Sequence, residues 1–305
     1  MAAKITFRWA MAAPAAGGEG HGPARWVREA IWGPDVADGT ERVPSGIDTT
    51  SPSIARMYDY YLGGKDNYAV DRAAADKLLA LAPEIAEISR RNRAFLGRAV
   101  RFLAERGIRQ FVDIGTGLPT QNNVHQVART HAPGARVAYV DNDPIVLAHA
   151  RALLTENGQT IVVNADLLDP DTILDNPAIR SYIDFDRPVA ILLFAILHFF
   201  ADDDRPYEIV ARLRDAIPPG SYLALSHVVS EDHPEAIDAA QDVYRSFLKR
   251  SGDARRTRAD ILGFFDGLEL VDPGLVYVSR WRPDESDGVP VAEDAWIVGG
   301  VARKN

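Results

Sequence analysis

The stretch from Phe111 to Thr120, Phe-Val-Asp-Ile-Gly-Thr-Gly-Leu-Pro-Thr, constrains this chain more than any other. A short apolar run ends in an acid and two glycines, the pattern of a buried parallel strand breaking into a ligand-binding turn. Gly115 and Gly117 permit torsions and close approaches that a β-carbon blocks, and a helix starting after the turn offers free N–H groups. A nucleotide-like ligand is the first expectation.

Around this turn the chain reads as an α/β protein. From residue 110 onward strand and helix patterns alternate, which predicts a mostly parallel sheet with right-handed crossovers. Strands are predicted at 110–114, 136–140, 160–163, 189–194 and 222–228, and helices at 121–131, 144–155, 205–216, 234–251 and, shorter, 260–265. Two late alternating runs, 275–281 and 295–302, have no helix between them and predict a C-terminal antiparallel hairpin. Upstream, Ser51-Pro52 has the form of an N-cap followed by proline at the first helical position. Ile54, Met57, Tyr58 and Tyr61 then recur at helical spacing until Gly63-Gly64. Further helices are predicted over 71–81 and 83–105. The arginines Arg90, Arg91, Arg93, Arg98 and Arg101 on the last of these read as a solvated face, with an anion-binding face as the alternative. The expected division is a flexible N-terminal extension (1–48), a helical lid segment (49–108) and a ligand-binding domain (109–305), with no internal repeat.

Bulk properties narrow the partners. A chain of 305 residues with 47% hydrophobic residues buries a full core. The net charge of −9 and a pI near 5.3 repel a phosphate backbone on average, so nucleic acid is not expected as a partner. No cysteine is present, which removes disulfides, thiolate metal sites and a cysteine nucleophile. Arg8 and Pro14 interrupt the apolar opening, so no signal peptide is read and Met11 is an alternative start. No stretch approaches the roughly 18 apolar residues of a membrane span. A cytoplasmic protein is expected, and a homodimer is compatible with the sequence.

The acids decide between cofactors. Dinucleotide folds use G-x-G-x-x-G with the pyrophosphate on the helix N-terminus, yet Thr120 stands at the third glycine and Asp113 puts a carboxylate near the phosphate position. Two anions there repel, which disfavours an NAD(P) oxidoreductase. S-adenosylmethionine has no phosphate, and its ammonium wants an acceptor. Asp141, at the end of the next strand, can accept both ribose hydroxyls; its other reading is a helix cap, which Asp143 before Pro144 already supplies. Asp166 in Asn164-Ala165-Asp166-Leu167 can accept the adenine amine while an apolar neighbour packs on the ring; its other reading is a loop cap. Carboxylates at three successive parallel strand ends converge on one crevice.

These residues resemble the class I, Rossmann-like methyltransferases: Asp113-x-Gly115-x-Gly117, Val140-Asp141-x-x-Pro144-x-x-Leu147-x-x-Ala150 and Ala165-Asp166. The run Pro52-Ser-Ile-Ala-Arg-Met-Tyr-Asp-Tyr-Tyr-Leu-Gly-Gly-Lys-Asp-Asn-Tyr68, with Asp113 to Thr120, is more narrowly similar to a bacterial S-adenosyl methyltransferase family first catalogued as a domain of unknown function. The resemblance implies a Rossmann-like sheet, S-adenosylmethionine as cofactor and methyl transfer, with no acceptor specified. Pro119 departs from the general class, in which many members carry a third glycine.

Methyl transfer from a sulfonium is an in-line displacement on an activated carbon, so alignment and water exclusion matter most. His198 and His227, at the ends of the fourth and fifth strands, are the candidate catalytic bases, against the alternative of core histidines. Gly115, Thr116, Gly117, Asn142 and Leu167 join Asp113, Asp141 and Asp166 as expected cofactor contacts. The lid adds Tyr58 and Tyr61, to stack or donate, Lys65, to pair the cofactor carboxylate, and Asp66 or Asn67, to meet either substrate; a plain helical hairpin with a tight Gly-Gly turn is the alternative. Asp202-Asp203-Asp204 before Arg205-Pro206 suits helix capping better than a metal, and no metal is expected. Arg255, Arg256 and Arg258 read as a solvated loop, with gating of an acidic acceptor as the alternative. The expected function is a methyltransferase acting on a small-molecule O- or N-nucleophile; a non-catalytic S-adenosylmethionine sensor is the alternative.

Overall fold

The computed structural model describes residues 48–119, 122–154, 160–248, 254–284 and 296–305, so the expected extension lies outside the described residues apart from Asp48. Among the described residues eight strands form one sheet: β1 (Gln110–Ile114), β2 (Arg136–Asp141), β3 (Thr160–Asn164), β4 (Ala190–Phe194), β5 (Tyr222–Val228), β6 (Glu269–Leu270), β7 (Val276–Tyr277) and β8 (Ile297–Arg303). Their order is β3-β2-β1-β4-β5-β8-β6, with β7 also paired to β8. Strands β1 to β5 run parallel and β8 inserts antiparallel beside β5. The order reverses between β1 and β4, which opens a crevice beyond their carboxyl ends.

Alternation along the strands splits the core into two layers. On β1, β2 and β4, Phe111, Val137, Tyr139, Ala190 and Leu192 face one cluster, while Val112, Ala138, Val140, Ile191 and Leu193 face the other. Both faces are covered, so β1 is buried throughout and reads as a continuous apolar run. The first layer is filled by α3 (Ile85–Glu105) and α4 (Val124–His131), the second by α6 (Pro170–Leu174), α7 (Pro177–Tyr182) and α8 (Pro206–Asp215). Helix α3 was expected within the lid segment. Its residues Phe95, Leu96, Ala99, Val100 and Leu103 instead sit in the sheet core.

The arginines of α3 also depart from the expected solvated face. Only Arg90 of the five is exposed. Arg98 is 5% exposed and donates to the carbonyls of Val278 (2.6 Å) and Trp281 (2.9 Å). Those bonds explain why the expected strand at 275–281 stops after Tyr277. The carbonyls beyond it are satisfied by a side chain rather than by a neighbouring strand, and Trp281 packs edge-on against Phe95 and Phe102. Helices α6 and α7 and strand β6 were not expected, being too short to carry a readable period.

Above the crevice lie α1 (Ile54–Tyr61) and α2 (Ala69–Leu81). Ser53, not Ser51, is the N-cap of α1 and accepts from the Arg56 N–H at 3.5 Å. Arg56 and Asp71 form a buried ion pair at 2.8 Å, and Asp71 also accepts the N–H groups of Ser53 (2.9 Å) and Tyr68 (2.8 Å). With Asp71 also accepting from the chain before each helix, the pair fixes one helix against the other. The Gly63-Gly64 turn folds around the Asp59 carboxylate, which accepts from Asp66 N–H and Asn67 Nδ2, each at 2.9 Å. A β-carbon on Gly64 would run into that carboxylate. Gly64→Ala is therefore expected to cost about 1–3 kcal/mol, seen as a lower urea midpoint at unchanged slope; no loss of stability would mean the turn relaxes freely.

Candidate functional site

A cavity of about 680 Å³ occupies the crevice, within the size range of small-molecule and cofactor sites. Its floor is made of strand ends. After β1 the chain turns at Gly115 (φ +72°), where an added β-carbon would lie 2.8 Å from Ile196 Cγ1, so only glycine lets the β1 turn pass the chain leaving β4. Thr116 Oγ1 donates back to the Asp113 carbonyl at 2.9 Å and tightens the turn.

Asp141 ties this turn to the next strand. Its carboxylate accepts Gly117 N–H on one oxygen and Asp143 N–H on the other, each at 2.9 Å. An ionised carboxylate has about four acceptor positions, so capacity remains for a diol. The cap of α5 (Pro144–Leu154) is Asp143, whose Oδ1 accepts Ile145 N–H at 2.9 Å, while Ser53 Oγ from the lid donates to its other oxygen at 2.5 Å. Asp166 accepts its own loop's Leu168 N–H (2.9 Å) and Asn142 Nδ2 (3.1 Å), and Leu167 beside it is buried. Asp113, Gly115, Thr116, Gly117, Asp141, Asn142, Asp166 and Leu167 all line the one cavity.

Burial controls the charge of the two deepest acids. Desolvation pushes Asp113 up to about 7, opposed by Arg93 and assisted by the Asp141 charge; Asp141 is pushed up to about 6, again by desolvation, with its backbone hydrogen bonds opposing. Carboxylates held above their usual range are poised to meet a cation. Arg93 also lines the cavity, and its Nη2 donates to Asn123 Oδ1 at 2.9 Å.

The lid residues divide. Tyr58 and Tyr61 line the cavity, whereas Lys65 is exposed and, like Asp66 and Asn67, does not. The turn that carries these three is occupied in wrapping Asp59, with Asn67 buried against it. Asp66 pairs with His149 of α5 at 3.5 Å. Tyr61 is buried beside the Tyr244 hydroxyl of α9 (Pro234–Leu248). Tyr58 begins a polar chain across the site. It donates to Ser89 O and accepts from Asn92 Nδ2, both at 3.1 Å; Asn92 Oδ1 accepts from Ser226 Oγ (2.6 Å), which accepts Ala195 N–H (2.9 Å). Ala195 has φ +50°, a strained conformation for alanine at the end of β4, held by this chain. Sequence reading missed Asn92, although it falls on the apolar stripe Ile88, Asn92, Phe95, Ala99 at helical spacing.

The two histidines separate as well. His198 lines the cavity on a single 3₁₀ turn (Leu197–Phe199), and its Nδ1 is buried with no hydrogen-bond partner among the described residues. Burial and the nearby Arg256 charge pull it down to about 3, so the imidazole is neutral. His227 is 0% exposed and does not line the cavity. Its Nδ1 sits 2.6 Å from Val228 O, a donor position, and its Nε2 lies 3.5 Å from Arg256 Nη1. That is a core histidine with both nitrogens engaged, and the expected base role does not fit it.

Arg256 does not solvate a loop. Expected in a solvated loop, it is 2% exposed, packs against the rings of Tyr207 and Phe264, and donates to Phe200 O (3.0 Å), Leu197 O (3.4 Å) and Asp202 (2.9 Å). Arg258 lies over the Tyr277 ring and Arg255 pairs with Asp238. Of the acidic triplet, Asp202 holds Arg256 and Asp204 accepts Ala201 N–H within its own turn, while the residue capping α8 is Arg205. No cluster of metal-ligating side chains occurs among the described residues.

A glycine turn crossing from β1, an acid at each of three successive strand ends and a cavity reaching β4 and β5 define the site of a Rossmann-like methyltransferase. Residues 40–305 match the S-adenosyl methyltransferase family, and the chain belongs to it. It is 45% identical to a DUF574 family protein of Streptomyces avermitilis, over 85% of this chain and 99% of that one, with a TM-score of 0.79. It is 44% identical to a candidate methyltransferase of Thermobifida fusca, over 87% of this chain and 100% of that one, with a TM-score of 0.80. No curated protein matches. The protein is an S-adenosylmethionine-dependent methyltransferase. The site residues fit the cofactor: buried carboxylates with spare acceptor capacity suit a ribose and an ammonium, and no phosphate has to be accommodated beside them.

Cation binding favours the ionised forms of Asp113 and Asp141. Cofactor affinity is therefore expected to rise from pH 5 to pH 8, with protons released on binding between about pH 6 and 7. Calorimetry in two buffers of different ionisation enthalpy measures that release. Asp141→Asn is expected to weaken S-adenosylmethionine by about 10–100-fold; unchanged affinity would remove Asp141 from the ribose.

Proposed function

We propose that the methyl group is delivered to an oxygen or nitrogen of a small-molecule acceptor held between the lid and the ends of β4, β5 and β8. Bound S-adenosylmethionine supplies an electrophilic methyl group on a sulfonium centre. The chain's own residues then bind, orient and exclude water. Asp141, Asp166 and Leu167 are assigned to the nucleoside, Asp113 to the ammonium, and Arg93, which stands in the wall where Lys65 does not, to the cofactor carboxylate. Tyr58 and Tyr61 roof the cavity, and His198 is the polar side chain assigned to the acceptor.

The observation that carries this reading is the continuity of one cavity from Asp113 and Asp141 to His198, Tyr244 and Trp296. A protein that only sensed the cofactor would have no need of the second half. The net charge of −9 supports a small acceptor over nucleic acid. A bacterial cytoplasmic setting belongs to the same reading and draws on the bacterial origin of the two relatives; no described helix is long and apolar enough to cross a membrane.

Calorimetry against S-adenosylmethionine, S-adenosylhomocysteine and NAD, followed by a screen of small acceptors for S-adenosylhomocysteine release, tests the proposal. Binding of the first two without NAD, and release with at least one hydroxyl or amine compound, is expected. Cofactor binding with no release across the screen would favour the sensor.

A further inference from the structure

The carboxylates of the cavity are divided along the strand order, while arginines stand on both sides, Arg56 and Arg93 on the first and Arg245 and Arg255 on the second. The described lining includes five carboxylates, Asp48, Asp113, Asp141, Asp143 and Asp166, all from the strap before α1 or the ends of β1, β2 and β3. From β4 onward the described lining has no carboxylate, and Arg245 and Arg255 stand there instead. Each of these arginines also pairs at 3.0 Å with a carboxylate of α9, Asp242 and Asp238, and neither acid lines the cavity. The acidic half suits a cationic cofactor. By the same electrostatic complementarity the other half suits an anion.

Shape and hydrogen bonding narrow the anion. Phe199 and Tyr244 meet edge to face at 5.2 Å, His198 lies against Phe199 with centroids 4.1 Å apart, and Trp296 faces the same chamber, so the walls are aromatic. Behind His198, Arg256 bonds the carbonyls of Leu197 and Phe200, which bracket the turn presenting the imidazole. The guanidinium is buried, its carboxylate partner Asp202 is three-quarters exposed, and its Nε has no hydrogen-bond partner. Asp202 offsets part of that charge, and the carbonyls of Leu197 and Phe200 bring the guanidinium against the turn, where its field acts on His198. This field disfavours an imidazolium at His198, and it equally disfavours a cationic amine and stabilises a negative oxygen.

Resting on the methyltransferase reading above, we propose that the acceptor is a planar aromatic hydroxyl compound bound as its oxyanion. The neutral imidazole of His198 donates an N–H to that oxygen, and Arg256 is a positioning residue that holds the turn and supplies the cationic field. The hydroxyl proton leaves to bulk water on binding. A lone pair of the oxyanion then forms the new O–C bond, the S–C bond breaks with its electron pair passing to sulfur, and the oxyanion and sulfonium charges cancel. No oxidant or second co-reactant is required.

The test uses the full chain saturated with S-adenosylhomocysteine and 4-nitrophenol as probe, with the phenol–phenolate absorbance followed across pH. The apparent pKa of the bound probe is expected to fall by at least one pH unit, an apparent tenfold preference for the anion. His198→Gln, which keeps an N–H donor, is expected to retain part of the shift and His198→Phe to lose most of it. Arg256→Lys, which keeps the charge, should keep the shift, while Arg256→Met should lose it with S-adenosylhomocysteine affinity unchanged. Turnover should favour phenols over anilines of the same shape. A bound probe with an unshifted or raised pKa would overturn the proposal, as would no probe binding to protein that still binds S-adenosylhomocysteine, or a preference for anilines. Loss of S-adenosylhomocysteine binding itself would instead count against the underlying methyltransferase reading.

Discussion

The carboxylate of Asp141 is the joint on which the site depends. It stands at the end of β2 and holds the turn after β1 by one backbone N–H and the start of α5 by another. Parallel register sets Asp113 beside Tyr139 and Asp141 beside Asn164, so the three strand ends rise together into the crevice. The strained parts of the site follow from this: Gly115 must pass close to Ile196, and Ala195 must adopt a left-handed conformation to turn away. A neutral side chain at 141 could form both bonds only by giving up acceptor capacity that a ribose needs.

The roof depends on the same region. Ser53 reaches Asp143, so the N-terminus of α1 and the N-terminus of α5 share one carboxylate. Arg56 and Asp71 fix α2 to α1, and Tyr68, Leu118, Ile145 and Val146 form a small apolar cluster that seats the lid on α5. On the other side Met57, Tyr61 and Leu78 pack against Val243, Tyr244 and Phe247 of α9. The lid is thus docked on both banks of the crevice, and the Tyr58–Asn92–Ser226–Ala195 chain links it to the β4 turn that carries His198. Carboxylates line only the cofactor bank of the described cavity, together with Arg56 and Arg93, and Arg245 and Arg255 stand on the other.

Much of the fold was legible because its signals are periodic. Strands β1 and β5 stand where the sequence puts them, and β2, β3, β4 and β8 differ by no more than about two residues at their ends. The convergence of Asp113, Asp141 and Asp166 was legible for the same reason, since parallel strands place their ends on one side. What was not legible is what depends on distant partners. Arg98 and Arg256 look like surface arginines until Val278, Trp281, Leu197 and Phe200 bring carbonyls to them. Lys65 reads as a ligand because of its dense polar neighbourhood, but that density serves Asp59. The division between His198 and His227 could not be read locally, because both follow apolar runs and only the folded chain shows that His198 lines the cavity while His227 is buried against Val228 O and Arg256.

If the Asp141 joint is the ribose site, the cofactor lies wholly on the β1–β3 side of the cavity, between Asp113, Asp141, Asp166 and Arg93. A crystal structure with S-adenosylhomocysteine bound tests it most directly. Both ribose hydroxyls are expected on the Asp141 carboxylate, the amino group beside Asp113 and the adenine at Asp166 and Leu167, with the β4 side left open. A nucleoside lying against His198 and Tyr244, with Asp141 still bonded only to Gly117 and Asp143, would contradict it.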